Sequence, residues 1–179
     1  MSQPEPRLYG RRKGRPLRVR KSALVQTLLP QVAISLSMER PVDPCTLFTS
    51  RPSTCWLEIG FGGGEHLAAQ AARHPHIGML GCEPFLNGIA GLLDQIDRAQ
   101  VDNVRIFPSD ARLFVQNLLP QSLARTYVLF ADPWPKKRHA SRRFIQSETL
   151  GLLAQAMAID AELLLATDDP VLQEWTTAF

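Results

Sequence analysis

The sequence predicts an α/β fold with a mostly parallel central sheet and helices on both faces. Three observations lead there. Short apolar runs alternate with amphipathic stretches from Cys55 onward, the runs are apolar almost without interruption, and each ends in a turn that opens a helical pattern. Consecutive parallel strands need crossover connections, and a strand covered on both faces has no polar side to show.

A chain of 179 residues with 45% hydrophobic composition suits one domain with its own core. That domain is expected over 22–179, behind a basic and flexible arm at 1–21. Ser22 is expected to cap a first helix through about Leu29 or past Pro30, and 41–53 (PVDPCTLFTSRPS) reads as a proline-rich connector. Five strands follow at 55–60 (CWLEIG), 77–83 (IGMLGCE), 104–110 (VRIFPSD), 126–132 (TYVLFAD) and 161–168 (AELLLATD). The helical patterns between them fall at about 64–74, 85–99, 111–118 and 147–158.

Several function classes are excluded early. No apolar stretch is long enough to span a bilayer, and the basic N-terminus has no apolar segment behind it to make a secretory signal. Cys45, Cys55 and Cys82 are odd in number and lack C-x-x-C spacing, so neither a disulfide framework nor a metal site is expected. These features together point to the cytoplasm.

Charge is segregated along the chain. Residues 1–21 carry eight Lys or Arg against Glu5 alone, and 136–143 add five more cations without an acid, for +12 in these two segments. The rest of the chain carries −9, so a net charge of +3 conceals an anion-binding face on an acidic body. The second segment belongs to Asp132–Arg143 (DPWPKKRHASRR), which follows the fourth strand directly. Lys and Arg in such number suit an RNA backbone, where they displace condensed counterions and Arg pairs phosphate oxygens through two bonds.

Every strand ends in or runs into an acid: Glu58, Glu83, Asp110, Asp132 and Asp168. In an open parallel sheet the carboxyl ends of the strands border the ligand crevice, so these acids are expected to converge there, although Asp110 serves equally well as a helix cap. The loop Glu58-Ile59-Gly60-Phe61-Gly62-Gly63-Gly64 lets backbone approach a ligand closely, with Gly60 and Gly62 as the contact points. Glu65 stands where a dinucleotide fingerprint wants a small residue, which disfavours a pyrophosphate and with it a nucleotide-dependent oxidoreductase. Glu83 is placed to accept both hydroxyls of a ribose and Asp110 an adenine amino group. A nucleoside with a cationic, phosphate-free tail fits this set, namely S-adenosylmethionine. Phe61 and Trp134 are read as packing residues rather than stacking ones, and His66, His74 and His76 as surface or loop residues.

LEIGFGGGEHL, the Glu83 turn, NVRIFPSDA, LFADPWPKKRHASRR and the later ATD resemble the tRNA (guanine-N7-)-methyltransferases, as does the N-terminal YGRRKGRPLR. The resemblance implies a Rossmann-like class I methyltransferase that uses S-adenosylmethionine to form 7-methylguanosine in the tRNA variable loop, at position forty-six. It implies cofactor contacts at Glu58, Gly60, Glu83 and Asp110, and an active-site carboxylate at Asp132 that also borders the cofactor. It further implies substrate contacts at Lys136, Arg138, His139, Arg142 and Arg143, and a guanine contact at Asp168. The family continues through two more strands where this chain ends at Phe179, so the domain is expected to be C-terminally incomplete and its fifth strand an uncovered apolar edge. The alternative is an RNA-binding relative that has lost catalysis.

Overall fold

The computed structural model describes residues 12–36 and 41–179; the first residues of the arm, Arg7 and Arg11 included, lie outside them. Five strands form one sheet: β1 Cys55–Ile59, β2 Gly78–Cys82, β3 Val104–Phe107, β4 Leu123–Leu129 and β5 Met157–Ala166. Their order is β3-β2-β1-β4-β5 and every pairing is parallel. All five strands overlap the apolar runs, although β4 and β5 begin earlier than expected, β5 taking the last residues of the expected helix; the helices between them are α3 Glu65–Arg73, α4 Leu86–Ala99, α5 Ala111–Val115, shorter than expected, and α6 Ser147–Ala156.

The two faces of the sheet bury two separate cores. Leu57, Ile59, Leu80 and Cys82 meet Phe114, Val115, Leu153 and Ala156 on one side. Met79, Val104 and Ile106 meet Leu67, Ala71, Ile89, Leu92, Leu93 and Ile96 on the other. In α4 the apolar positions 89, 92, 93 and 96 follow helical spacing, and each such buried side chain contributes about 1.5–3 kcal/mol.

The N-terminal segment departs from expectation. Helix α1 spans Val19–Thr27 with Arg18 as its N-cap, so Ser22 lies inside the helix and its N–H donates to the Arg18 carbonyl at 2.9 Å. The helix starts earlier because it has a partner: Arg20 reaches Asp94 and Asp97 on α4, each at 2.7 Å, and Leu24, Val25 and Leu28 pack on the α4 core. Upstream, 12–15 also follow α4. The Leu86 N–H donates to the Arg12 carbonyl at 3.0 Å, while Asn87 accepts from the Gly14 N–H and donates to the Arg15 carbonyl, both at 2.8 Å. The expected boundary at residue 21 therefore falls within α1, and the described part of the arm is docked. Pro30 opens a second short helix, α2 Leu29–Val32, and the 41–53 connector contains a 3-10 turn at Pro44–Leu47.

Strand β5 is an edge. Its pairing with β4 breaks between Leu123 and Arg125, where Asp160 takes φ 67°, and Leu164 and Leu165 are exposed. Helix α7, Pro170–Thr176, follows and anchors through Trp175, whose indole N–H donates to the Ile145 carbonyl at 2.6 Å.

Candidate active site at the carboxyl ends of the strands

A cavity of about 680 Å³ opens at the carboxyl ends of β1, β2 and β4. Gly60, Gly62, Glu83, Asp110, Asp132, Trp134, Arg142 and Arg143 are among its lining residues. Three of the five strand-end acids, Glu83, Asp110 and Asp132, thus converge as expected. The other two do not. Glu58 is buried and accepts from His66 Nδ1 at 2.7 Å, away from the lining, and Asp168 is exposed and lines neither this cavity nor the neighbouring one. The expectation of five converging carboxylates is corrected to three, because the alternation of side chains along a strand sends the residue at each strand end to whichever face its register dictates.

The glycine loop and Glu83 build each other. Gly60 and Gly62 have φ values of 71° and 54°, conformations that penalise side chains, and a Cβ added at either would meet no atom within 4 Å. Their Cα positions therefore face open space in the cavity, a cradle that a side chain would fill. The Glu83 carboxylate accepts the Gly62 N–H and the Phe85 N–H, each at 2.9 Å, one per oxygen. Burial raises its pKa above the ordinary glutamate value, the two backbone bonds work against that rise, and Asp132 adds to it. The remaining lone pairs of this fixed carboxylate are available to hydroxyl donors.

Asp110 is a helix cap that also borders the cavity. It caps α5 by accepting the Arg112 N–H at 2.9 Å, receives the Arg112 guanidinium on both oxygens, and still borders the cavity. Asp132 stands exposed at the cavity mouth.

The basic loop divides into two sets. Lys136, Lys137 and Arg138 are exposed at the start of a 3-10 helix, Lys137–Arg142. Arg142 lies 5.0 Å over the Trp134 ring, and His139 meets that ring edge-on at 5.9 Å. Desolvation first, and then Arg142, Arg138 and Lys136, hold the His139 pKa below the ordinary histidine value. Arg143 differs from its neighbours. It is buried, donates to the carbonyls of Pro133 at 2.9 Å and Trp134 at 3.1 Å, and lies 4.5 Å over the Trp175 ring. It shapes the loop that carries Asp132 and Trp134.

Sequence reasoning missed two features. His66 is the partner of buried Glu58, with Gln70 at 3.1 Å from its other ring nitrogen; Glu58 and His66 lie on different elements, and only the turn through the glycines brings them together. Phe130, unremarkable within its apolar run, stands 65% exposed with φ 53° at the cavity wall. No group of three or more His, Cys, Asp or Glu among the described residues is arranged to hold a metal ion, and no described helix is long and apolar enough to cross a membrane.

Residues 52–179 match the family described as putative methyltransferase. The chain is 48% identical over 172 residues to the tRNA (guanine-N(7)-)-methyltransferase of Paramagnetospirillum magneticum, an alignment covering 95% of this chain and 72% of that protein. It is 47% identical over 176 residues to the enzyme of that name from Rhodospirillum rubrum, covering 96% and 69%. Among solved structures, a 16S rRNA (adenine-N(1))-methyltransferase from Catenulisporales acidiphilia with cosubstrate SAM superposes with a TM-score of 0.53 at 17% identity, covering 69% of this chain and 62% of that one. That likeness is one of fold and agrees with a Rossmann-like class I architecture. A family match over most of the domain and relatives this similar along nearly the whole chain have one reading: the chain belongs to the tRNA (guanine-N(7)-)-methyltransferase family.

Proposed function

We propose that this chain transfers a methyl group from S-adenosylmethionine to N7 of a guanosine in tRNA, in the variable loop at position forty-six, and acts in the cytoplasm. The observation that carries the proposal is one cavity bordered by the Gly60–Gly62 cradle, Glu83, Asp110 and Asp132, with Lys136, Lys137 and Arg138 exposed beside it.

S-adenosylmethionine, when bound, supplies an electrophilic methyl group on a sulfonium. Gly60 and Gly62 would give it close backbone approach, Glu83 would accept from the ribose hydroxyls, and Asp110 would accept from the adenine amino group. Glu58, whose carboxylate is occupied by His66, would act on the cofactor through the loop it anchors. Asp132 has a different task. Guanine N7 carries no proton, so no general base is required; a carboxylate beside the ring would stabilise the positive charge that the purine acquires. The exposed cations hold phosphate, and Asp168, at the end of β5, would contact guanine only if the base reaches beyond the cavity.

The test is methyl transfer to unmodified tRNA followed by identification of the modified nucleoside and its position. Asp132→Ala should lower turnover at least a hundredfold, on the order of 3 kcal/mol of lost transition-state stabilisation, with tRNA affinity kept. Turnover near that of the native chain would remove Asp132 from the chemistry.

A further inference from the structure

We infer that the ring of Phe130 is the platform on which the target purine stacks while N7 is methylated. The inference rests on the guanosine reading above and adds a substrate-contacting residue to it.

Phe130 bears two unfavourable features at once. The residue is 65% exposed, and its backbone takes φ 53°, the left-handed region that strains a non-glycine residue. The conformation is held from outside, since the Phe130 N–H donates to the Ala166 carbonyl of β5 at 2.8 Å. A side chain kept out of the core by a strained backbone suits contact with something other than the core.

Its location suggests what. Phe130 borders both the larger cavity and a second one of about 320 Å³, lined also by Val128, Ala131, Leu165, Thr167, Gln173 and Thr176. Together with Val128 and Ala131, which also line both, it forms the ridge between them, two residues before Asp132. A planar heterocycle laid on that ridge would face apolar walls, meet Thr167, Gln173 or Thr176 with one polar edge, and turn the other toward Asp132 and the larger cavity. Trp134 is less suited to the task, because Arg142 already covers its ring.

The chemistry favours an aromatic platform over an aliphatic one. The N7 lone pair forms the new N–C bond as the carbon–sulfur bond breaks and leaves its electron pair on sulfur. No proton is released, and the positive charge passes to the purine. An aromatic face attracts a cation, so the ring holds the product-like purine more tightly than the neutral one.

Phe130→Gly separates this role from packing. Glycine adopts φ 53° without strain, so the variant should melt at or above the native temperature and bind cofactor normally, while kcat for tRNA falls at least tenfold. Phe130→Trp should recover most of that loss. In parallel, the nucleosides guanosine and 7-methylguanosine are titrated into the native chain and the glycine variant. The native chain should bind the cationic nucleoside at least fivefold more tightly, and the variant should lose that preference. Undiminished turnover, or a preference that survives in the glycine variant, overturns the inference. If the native chain forms no 7-methylguanosine in tRNA, the functional reading fails, and the nucleoside titration still decides whether Phe130 is a purine platform.

Discussion

Glu83 concentrates the site's electrostatics in one side chain. Its raised pKa places protonation above the range of an ordinary glutamate. As pH falls through that value, Glu83 loses acceptor capacity for hydroxyl donors, so cofactor affinity should fall in mildly acidic solution. Glu83→Gln should bind weakly at every pH, and isothermal titration across pH 4.5 to 8, roughly spanning the ordinary glutamate value upward, reads both. The same shift acts on folding with the opposite sign: a raised carboxyl pKa favours the folded, unliganded chain below the unfolded value, and the benefit is lost as pH rises through the folded one. Thr126 offers a separate test. Its side chain is fully buried in β4, and its hydroxyl has no hydrogen-bond partner among the described residues. Thr126→Val removes that hydroxyl at almost constant shape, so thermal unfolding should report a gain of about 1 kcal/mol, or roughly 2–4 °C. Unlike Glu83, which was legible from its place after an apolar run, the solitude of this hydroxyl depends on what packs around it.

At the scale of elements, α4 supports the glycine loop by touching it. A Cβ at Gly88 would lie 2.3 Å from the Gly62 carbonyl oxygen, and one at Gly91 would lie 2.8 Å from that of Gly63. Alanine is favoured over glycine inside a helix by about 1 kcal/mol, yet a clash with backbone costs about 1–3 kcal/mol and displaces the loop that Glu83 holds. Gly88→Ala is therefore expected to lower the melting temperature and weaken cofactor binding at least tenfold, as measured by calorimetry and equilibrium titration. The helices themselves were legible because each buries a stripe at helical spacing. Their starts were less so: α1 begins at Val19 because Asp94 and Asp97, far along the chain, receive Arg20. Arg143 shows the same limit. Within a run of cations it reads as another phosphate ligand, and only the fold brings Pro133, Trp134 and Trp175 around it.

For the whole molecule, the arm and the basic loop should act on RNA as one electrostatic surface. Arg12, Lys13, Arg15 and Arg18 are exposed on a segment docked along α4. Neutralising all four to Gln, with Arg20 retained so that α1 stays in place, should flatten the log–log salt dependence of tRNA binding by about 0.7–0.9 for each phosphate no longer neutralised. An unchanged slope would assign these cations to solvent.

The sequence by itself determined the parallel sheet, the helices that cover it, the glycine cradle, and the pairing of an acid-bordered crevice with a basic loop. Each of these is written in local spacing, and spacing survives without coordinates. Tertiary structure alone decided that Glu58 turns to His66, that Arg143 holds a loop, and that Phe130 stands exposed between two cavities. Those outcomes depend on which residues distant in the chain come within a few ångströms of one another, and no local pattern records that.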